Sequence, residues 1–403
     1  MIEILRGVRL IEVADWGFVP SAATVLSDWG ADVIKIEHPV RGDPMRALIT
    51  SGIVPGARGA NFFIEQLGRN KRNIGIDLNL PEGLEILHRL VRGADIFLTN
   101  FLPEARERLR IRYEDLKPLN PRLIYAKGHG QGQKGPDANR GGYDGVSFWA
   151  RGAVADRLTR PGEPYVSQRP AFGDFIGGMF LAGGIAGALY NREKSGEGIE
   201  VDVSLLGNAV WIMSPDIVAA MTYGFELPHA SLGSVVNPLV NTYHCSDGRA
   251  LVLMMLQSER FWPILCRTLG IEHILVDPQF DTPEKRKQES SQLAAILRDL
   301  FAQKTRAEWA AILSASECIW GPVQSPAEIP TDPQVAANGY IMSFDHPSFG
   351  EFRLAASPVQ FANEAPSVRR PAAELGADTE AVLLDLGYSW EEIARKKEAG
   401  AIC

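Results

Sequence analysis

From Val8 to Gly128 the chain repeats one pattern: a short apolar run, an amphipathic segment of helical period, then another apolar run. "VRLIEVA" (8–14), "DVIKIE" (32–37), "DIFLTNF" (95–101) and "RLIYAKG" (122–128) read as strands. "SAATVLSDWG" (21–30) reads as a helix closed by Gly30, and "LPEGLEILHRLVRGA" (80–94) as one opened by Pro81 and Glu82. "YEDLKPLN" (113–120) is a short helix. Strand and helix in alternation, joined by short connections, argue for an α/β fold with a parallel sheet wrapped by helices. Such a sheet invites a dinucleotide site, but the first strand–helix turn, "ADWGFVPS", has no G-x-G-x-x-G. "GHGQGQKGPDANRGG" (128–142) leads into no helix and reads as a mobile loop beside a site.

"GIEVDVS" (198–204) is a further strand, followed by one helix, and 223–241 is rich in turn formers. The texture then changes: a hairpin around Asp247-Gly248, then amphipathic helices at 258–270, 288–304 and 305–316. This middle part reads as a small mixed domain, 223–331 with its linker, inserted into a large domain made of 1–222 and 332–403. Residues 332–361 return to strands and turns, and the chain closes on surface helices.

With 403 residues, 45% of them hydrophobic, the chain can bury a large core. Its net charge of −8 is spread without a long basic run, which argues against nucleic acid and requires any anionic ligand to meet a local cluster. Cys245, Cys266, Cys318 and Cys403 lie far apart with no C-x-x-C, as expected of a reducing cytoplasm, with no disulfide framework and no metal site. No basic leader with an apolar block is visible at the start. The run Phe175–Tyr190 is short for a membrane span and rich in Gly, and Gly183-x-x-x-Gly187 reads as part of a helix packed closely in a core.

That run follows "AFGDFIGG" (171–178), where one carboxylate, Asp174, stands between glycines. Two readings stay open: an N-cap for the helix, which the stretch by itself favours, or a nucleophile that backbone can approach closely.

Six motifs fall in a familiar order: "LSDWGADVIKIEHPVRGDPMR" (26–46), "NKRNIGIDLNLPEG" (70–83), "ADIFLTNFLPEARERL" (94–109), "LNPRLIYAKGHGQGQKGP" (119–136), "GDFIGGMFLAGGIAGALYNREKSGEGIEVDVSL" (173–205) and "PAAELGADTEAVLLDLGY" (371–388). Together they resemble the class III coenzyme A transferases of the formyl-CoA, carnitine-CoA and bile-acid-CoA type. The resemblance implies a Rossmann-like large domain built from both chain ends, an inserted small domain, and a homodimer of two interlocked chains. It implies transfer of coenzyme A from an acyl-CoA to a free carboxylic acid, with coenzyme A as co-substrate. Asp174 becomes the nucleophile, with Gly173 and Gly177 leaving room for the backbone, and with Tyr143, Asp144 and Trp16 as supporting residues.

For coenzyme A the resemblance implies contacts from Asn70, Lys71, Arg72, Asn100, Phe101 and Arg108, with Lys127 and Arg140 as looser matches. His38 stands where the family often has Arg. The turn Asp15–Pro20 should line the thioester end, although Trp16 reads equally as core. Trp16, Phe18, Phe148 and Trp149 hint at a bulky or hydrophobic acid. A sister branch racemises 2-methylacyl-CoA esters with a His where this chain has Tyr143, and tyrosine is a poor base at neutral pH. A coenzyme A-binding protein without catalysis is a third reading, against which the retained Asp174 counts. Residues 251–262 lack the Gly-rich loop that many of these transferases close over the intermediate, leaving Gln257 and Ser258 as lid candidates.

Overall fold

The computed structural model describes residues 3–48, 59–227 and 237–403. The chain divides into two compact units, Met1–Leu227 with Pro333–Cys403, and Pro228–Asp332. The first is built on a six-stranded parallel sheet: β1 (Arg9–Val13), β2 (Asp32–Glu37), β3 (Lys71–Gly75), β4 (Ile96–Thr99), β5 (Ile124–His129) and β6 (Glu200–Ser204). Their order across the sheet is β3-β2-β1-β4-β5-β6, the Rossmann order. The strand β3 has no counterpart in the sequence reading, whereas the other five do.

Successive strand residues face opposite sides. Leu10, Val33, Leu98 and Ala126 join one core, and Ile11, Ile34, Phe97 and Tyr125 the other. Between the strands run α1 (Phe18–Asp28), α2 (Phe62–Gly68), α3 (Pro81–Arg92), α4 (Pro103–Arg108) and α5 (Tyr113–Leu116). Helix α1 begins three residues earlier than expected, at Phe18. After β5 the loop runs without helix to a wide turn at Gly145–Ala150 and α6 (Val154–Leu158), then to α7 (Phe172–Ser195).

Helix α7 is long and apolar enough to cross a membrane, but its Leu181, Ala182, Ile185 and Ala188 lie in the first core with α1. The two helices touch closely: a Cβ on Gly178 would stand 1.9 Å from Ser21 Oγ and 3.0 Å from Ala22 N. Gly183 and Gly187, expected in the packed face, are exposed instead. The single helix expected after β6 is two, α8 (Leu205–Ile212) and α9 (Ser214–Tyr223), bent by 70° at Met213 ahead of Pro215.

The second unit holds the antiparallel sheet β7 (Val240–His244), β8 (Ala250–Met254) and β9 (Trp320–Val323), with the β7–β8 turn at Asp247-Gly248. Helices α10 (Ser258–Leu269), α11 (Pro283–Gln288), α12 (Ser290–Phe301) and α13 (Arg306–Ser314) surround a core of Tyr243, Leu253, Trp262, Phe301 and Trp309. Gln257 and Ser258 sit at the start of α10.

The chain then returns to the first unit as α14 (Pro333–Ala337), the hairpin β10 (Ile341–His346) and β11 (Gly350–Ala355), α15 (Thr379–Asp385) and α16 (Trp390–Glu398). Val382, Leu383 and Ile393 of the last two helices complete the second core.

Candidate active site

Strand order reverses between β1 and β4, where a parallel sheet opens a crevice at its carboxyl edge. A cleft of about 520 Å³ lies there. Each strand end feeds it: Asp15 and Trp16 follow β1, His38 and Arg41 follow β2, Asn79 follows β3, Asn100, Phe101 and Arg108 follow β4, and His129 ends β5. Tyr143 and Asp174 close the wall.

Asp174 sits in the first turn of α7, and its side chain caps nothing. The N-cap reading is therefore corrected. The capping carboxylate is Asp144, whose Oδ2 accepts from Gly173 N at 2.8 Å and from Asp174 N at 3.2 Å. Asp174 is pinned at its backbone, where its carbonyl accepts from Ser21 Oγ at 3.3 Å. Its carboxylate accepts no hydrogen bond among the described residues. Burial, then the charge of Asp144, pushes its pKa up to about 7. A carboxylate without donors, at a helix N-terminus and facing a cleft, has its lone pairs free for attack.

Gly17 makes this placement possible, since a Cβ there would stand 2.6 Å from Asp174 Oδ2. The glycines of "GDFIGG" have a different reason from the one expected. A Cβ on Gly173 would meet Asp144 and Phe148 at 2.4 Å, and one on Gly177 would meet Asn208 at 2.3 Å. They serve the packing of α7.

The turn that carries Trp16 and Gly17 rests on a buried ionic network. Lys35 Nζ lies 3.0 Å from Glu12 and 2.9 Å from Asp43, and Lys71 Nζ lies 2.7 Å from the other oxygen of Glu12. Asp43 Oδ1 in turn accepts from Trp16 N at 3.2 Å, which holds Trp16 at a left-handed φ of 67°. Asn100 clamps Asp15, accepting from its N–H at 3.1 Å and donating to its carbonyl at 2.6 Å. Burial, then Asp43, pushes Asp15 up to about 7. Trp16 is partly exposed in the cleft, and its ring meets Tyr143 edge-on at 5.5 Å.

Of the residues that the resemblance marks for coenzyme A, the cleft gathers His38, Asn100, Phe101 and Arg108. It does not gather Asn70, Lys71, Arg72, Lys127 or Arg140. Lys71 is buried against Glu12 and the carbonyl of Pro20. Asn70 accepts from the N–H groups of Arg369 and Arg370, tying β3 to the returning chain. Arg72 pairs with Asp32 at 2.6 Å and Asp385 at 3.4 Å. Lys127 pairs with Glu200, and Arg140 stands exposed 3.8 Å from Asp137.

Sequence reading missed Arg41 and Asn79, both exposed on the cleft wall. The usable signal for Arg41 was the tight turn "HPVRGD" after β2. His38 Nδ1 accepts from the N–H groups of Val40 and Arg41, so it shapes the turn that presents Arg41. Arg41 and Arg108 form no salt bridge among the described residues. Of the four aromatic residues expected to mark a bulky acid, Trp16 and Phe18 reach the cleft, whereas Phe148 is fully buried core and Trp149 donates to the Val166 carbonyl.

A model of CoA-transferase family III matches residues 5–379. The chain is 33% identical to an (R)-2-hydroxy-4-methylpentanoate CoA-transferase of Clostridioides difficile, over 99% of each chain. It is 32% identical to a cinnamoyl-CoA:phenyllactate CoA-transferase of Clostridium sporogenes, over 97% of this chain and 95% of that one. A crystal structure of a CAIB/BAIF family protein from Brucella suis superposes with a TM-score of 0.83 at 26% identity, covering 96% of this chain and all of the other. The chain belongs to CoA-transferase family III and is an enzyme of the class III CoA-transferase type.

Proposed function

We propose that the enzyme moves coenzyme A from an acyl-CoA to a free carboxylic acid through covalent intermediates on Asp174. The observation that carries this is the carboxylate of Asp174, held by its backbone at the cleft and free of hydrogen-bond donors among the described residues. Its oxygen attacks the thioester carbonyl, the C–S bond breaks, and an acyl–aspartyl anhydride and a thiolate result. The thiolate attacks the aspartyl carbonyl, releasing the donor acid and leaving an aspartyl-CoA thioester. The acceptor carboxylate attacks that carbonyl, which expels thiolate and forms a second anhydride. Attack of the thiolate on its acyl carbonyl yields the new acyl-CoA and restores Asp174. No net proton is consumed, and the overall exchange replaces one thioester with another of similar energy.

Coenzyme A carries phosphates that need cations not already neutralised. Arg41 and Arg108 are such cations on the cleft wall, whereas Lys71, Arg72 and Lys127 are engaged by carboxylates. We assign phosphate contact to Arg41 and Arg108, with Asn79, Asn100 and Phe101 along the path. Two chains forming an interlocked dimer would also cover the apolar groups that α7 to α9 expose, among them Tyr190, Trp211, Met221 and Tyr223. A stable folded monomer at micromolar concentration in sedimentation would overturn the dimer.

The function is tested by mixing an acyl-CoA with isotopically labelled free acid. Labelled acyl-CoA should form without accumulation of free coenzyme A, and Asp174→Asn should abolish it. Transfer at wild-type rate by that variant would refute the proposal.

A further inference from the structure

We infer that the edge-to-face pair Trp16–Tyr143 forms the wall of the acyl site and selects monocarboxylic acids with branched or aryl side chains over dicarboxylic acids. This rests on the transfer reading and adds the substrate class. Two chain paths place the pair beside the nucleophile. Trp16 precedes Gly17, whose Cα faces Asp174 Oδ2 so closely that no Cβ fits. Tyr143 precedes Asp144, whose carboxylate holds the N–H of Asp174. Trp16 and Tyr143 thus come from the two segments that contact Asp174, one at its carboxylate and one at its backbone, and both line the cleft with it. The rings meet at 5.5 Å and 87°, an arrangement favoured by aromatic quadrupoles.

The pair is set for a ligand and not for the core. Tyr143 is 61% exposed, and Trp16 is held facing the cleft at a left-handed φ by the Asp43 hydrogen bond. Burying such rings under an apolar acyl group removes exposed aromatic area from water.

Charge points the same way. The segments framing Asp174, residues 15–18, 142–144 and 171–177, contain no Lys, Arg or His, but they do contain Asp15 and Asp144. The basic side chains on the cleft wall stand elsewhere: His38 and Arg41 after β2, Arg108 on α4, and His129 at the end of β5, where Asp202 engages it at 2.8 Å. A second carboxylate on the acyl group would meet Asp15 on the cleft wall and no counter-charge on these segments.

The test gives the full-length enzyme butanoyl-CoA with 4-methylpentanoate, 3-phenylpropanoate, acetate or glutarate, and measures kcat/KM for each acid. The two apolar acids should exceed glutarate by about tenfold or more, the scale of a few methylene contacts. Tyr143→Ala should lower the apolar acids by about tenfold and acetate by much less. Trp16→Ala should do the same, but it stands at a strained φ. Tyr143 is the safer variant because an exposed ring leaves no buried cavity. Glutarate used as well as the apolar acids, or Tyr143→Ala lowering all acids equally, would overturn the inference while leaving transfer intact. Exchange with none of the acids, or exchange that survives Asp174→Asn, would overturn the transfer reading beneath it.

Discussion

Replacing Asp174 with Asn should abolish transfer and stabilise the protein, a combination that separates a nucleophile from a structural carboxylate. The side chain caps nothing and accepts no hydrogen bond among the described residues, so Asn removes no contact made by the carboxylate. What it removes is a buried charge. The folded pKa of Asp174 is raised from 3.8 to about 7, chiefly by burial. The cost of ionising it is absent below the unfolded value, builds as pH rises between the two, and is complete above about 7. At 1.36 kcal/mol per unit the ceiling is roughly 4 kcal/mol, and partial exposure to the cleft lowers it to about 2–4 kcal/mol. For a unit of this size that corresponds to about 3–6 °C in Tm. Melts of variant and wild type should coincide near pH 4 and separate by that amount near pH 8. An unchanged Tm at pH 8, or a gap equally large at both pH values, would refute the assignment of a buried, uncompensated carboxylate.

Attack requires the ionised form, so kcat/KM for the donor should fall about tenfold per pH unit below about 7. Asp144→Asn, which removes a charge raising Asp174, should move that limb to lower pH in a stopped-flow pH profile. Arg108→Ala should raise KM for the donor with little effect on Tm, whereas Lys71→Met should cost about 3–5 kcal/mol by leaving Glu12 buried without one of its partners, read by chemical denaturation. In heavy water, an enantiopure 2-methylacyl-CoA should neither racemise nor gain deuterium at its α-carbon, because Tyr143 stands where the racemising branch has its His; proton NMR reads this directly.

Apolar runs made β1, β2, β4 and β5 legible, even though β1 and β2 also bury Glu12, Lys35 and Glu37, and β6 was legible from its alternating valines although it is only partly buried. These patterns failed at β3, because "KRNIG" buries Lys71 and Asn73 on ionic and amide partners, and no hydropathy pattern marks a strand of that kind. The same long-range pairing hid which cations are free. Lys71 meets a carboxylate 59 residues away and Arg72 one 40 residues away, and nothing local tells them from Arg108, which forms no salt bridge among the described residues. The motif singled out Asp174 as the candidate, but its structural surroundings were not legible. The cap comes from Asp144, 30 residues earlier in the chain, and a local reading assigned that task to Asp174 itself.

The central claim is that coenzyme A and acyl groups pass through a covalent bond to Asp174. The most direct measurement incubates the wild-type enzyme with an acyl-CoA and no acceptor acid, quenches with hydroxylamine, and maps the modified peptide by mass spectrometry. The account predicts one hydroxamate, on Asp174, absent when the acyl-CoA is omitted. A hydroxamate on Asp144 or Asp15 in its place, or an unmodified chain that nevertheless turns over, would contradict it.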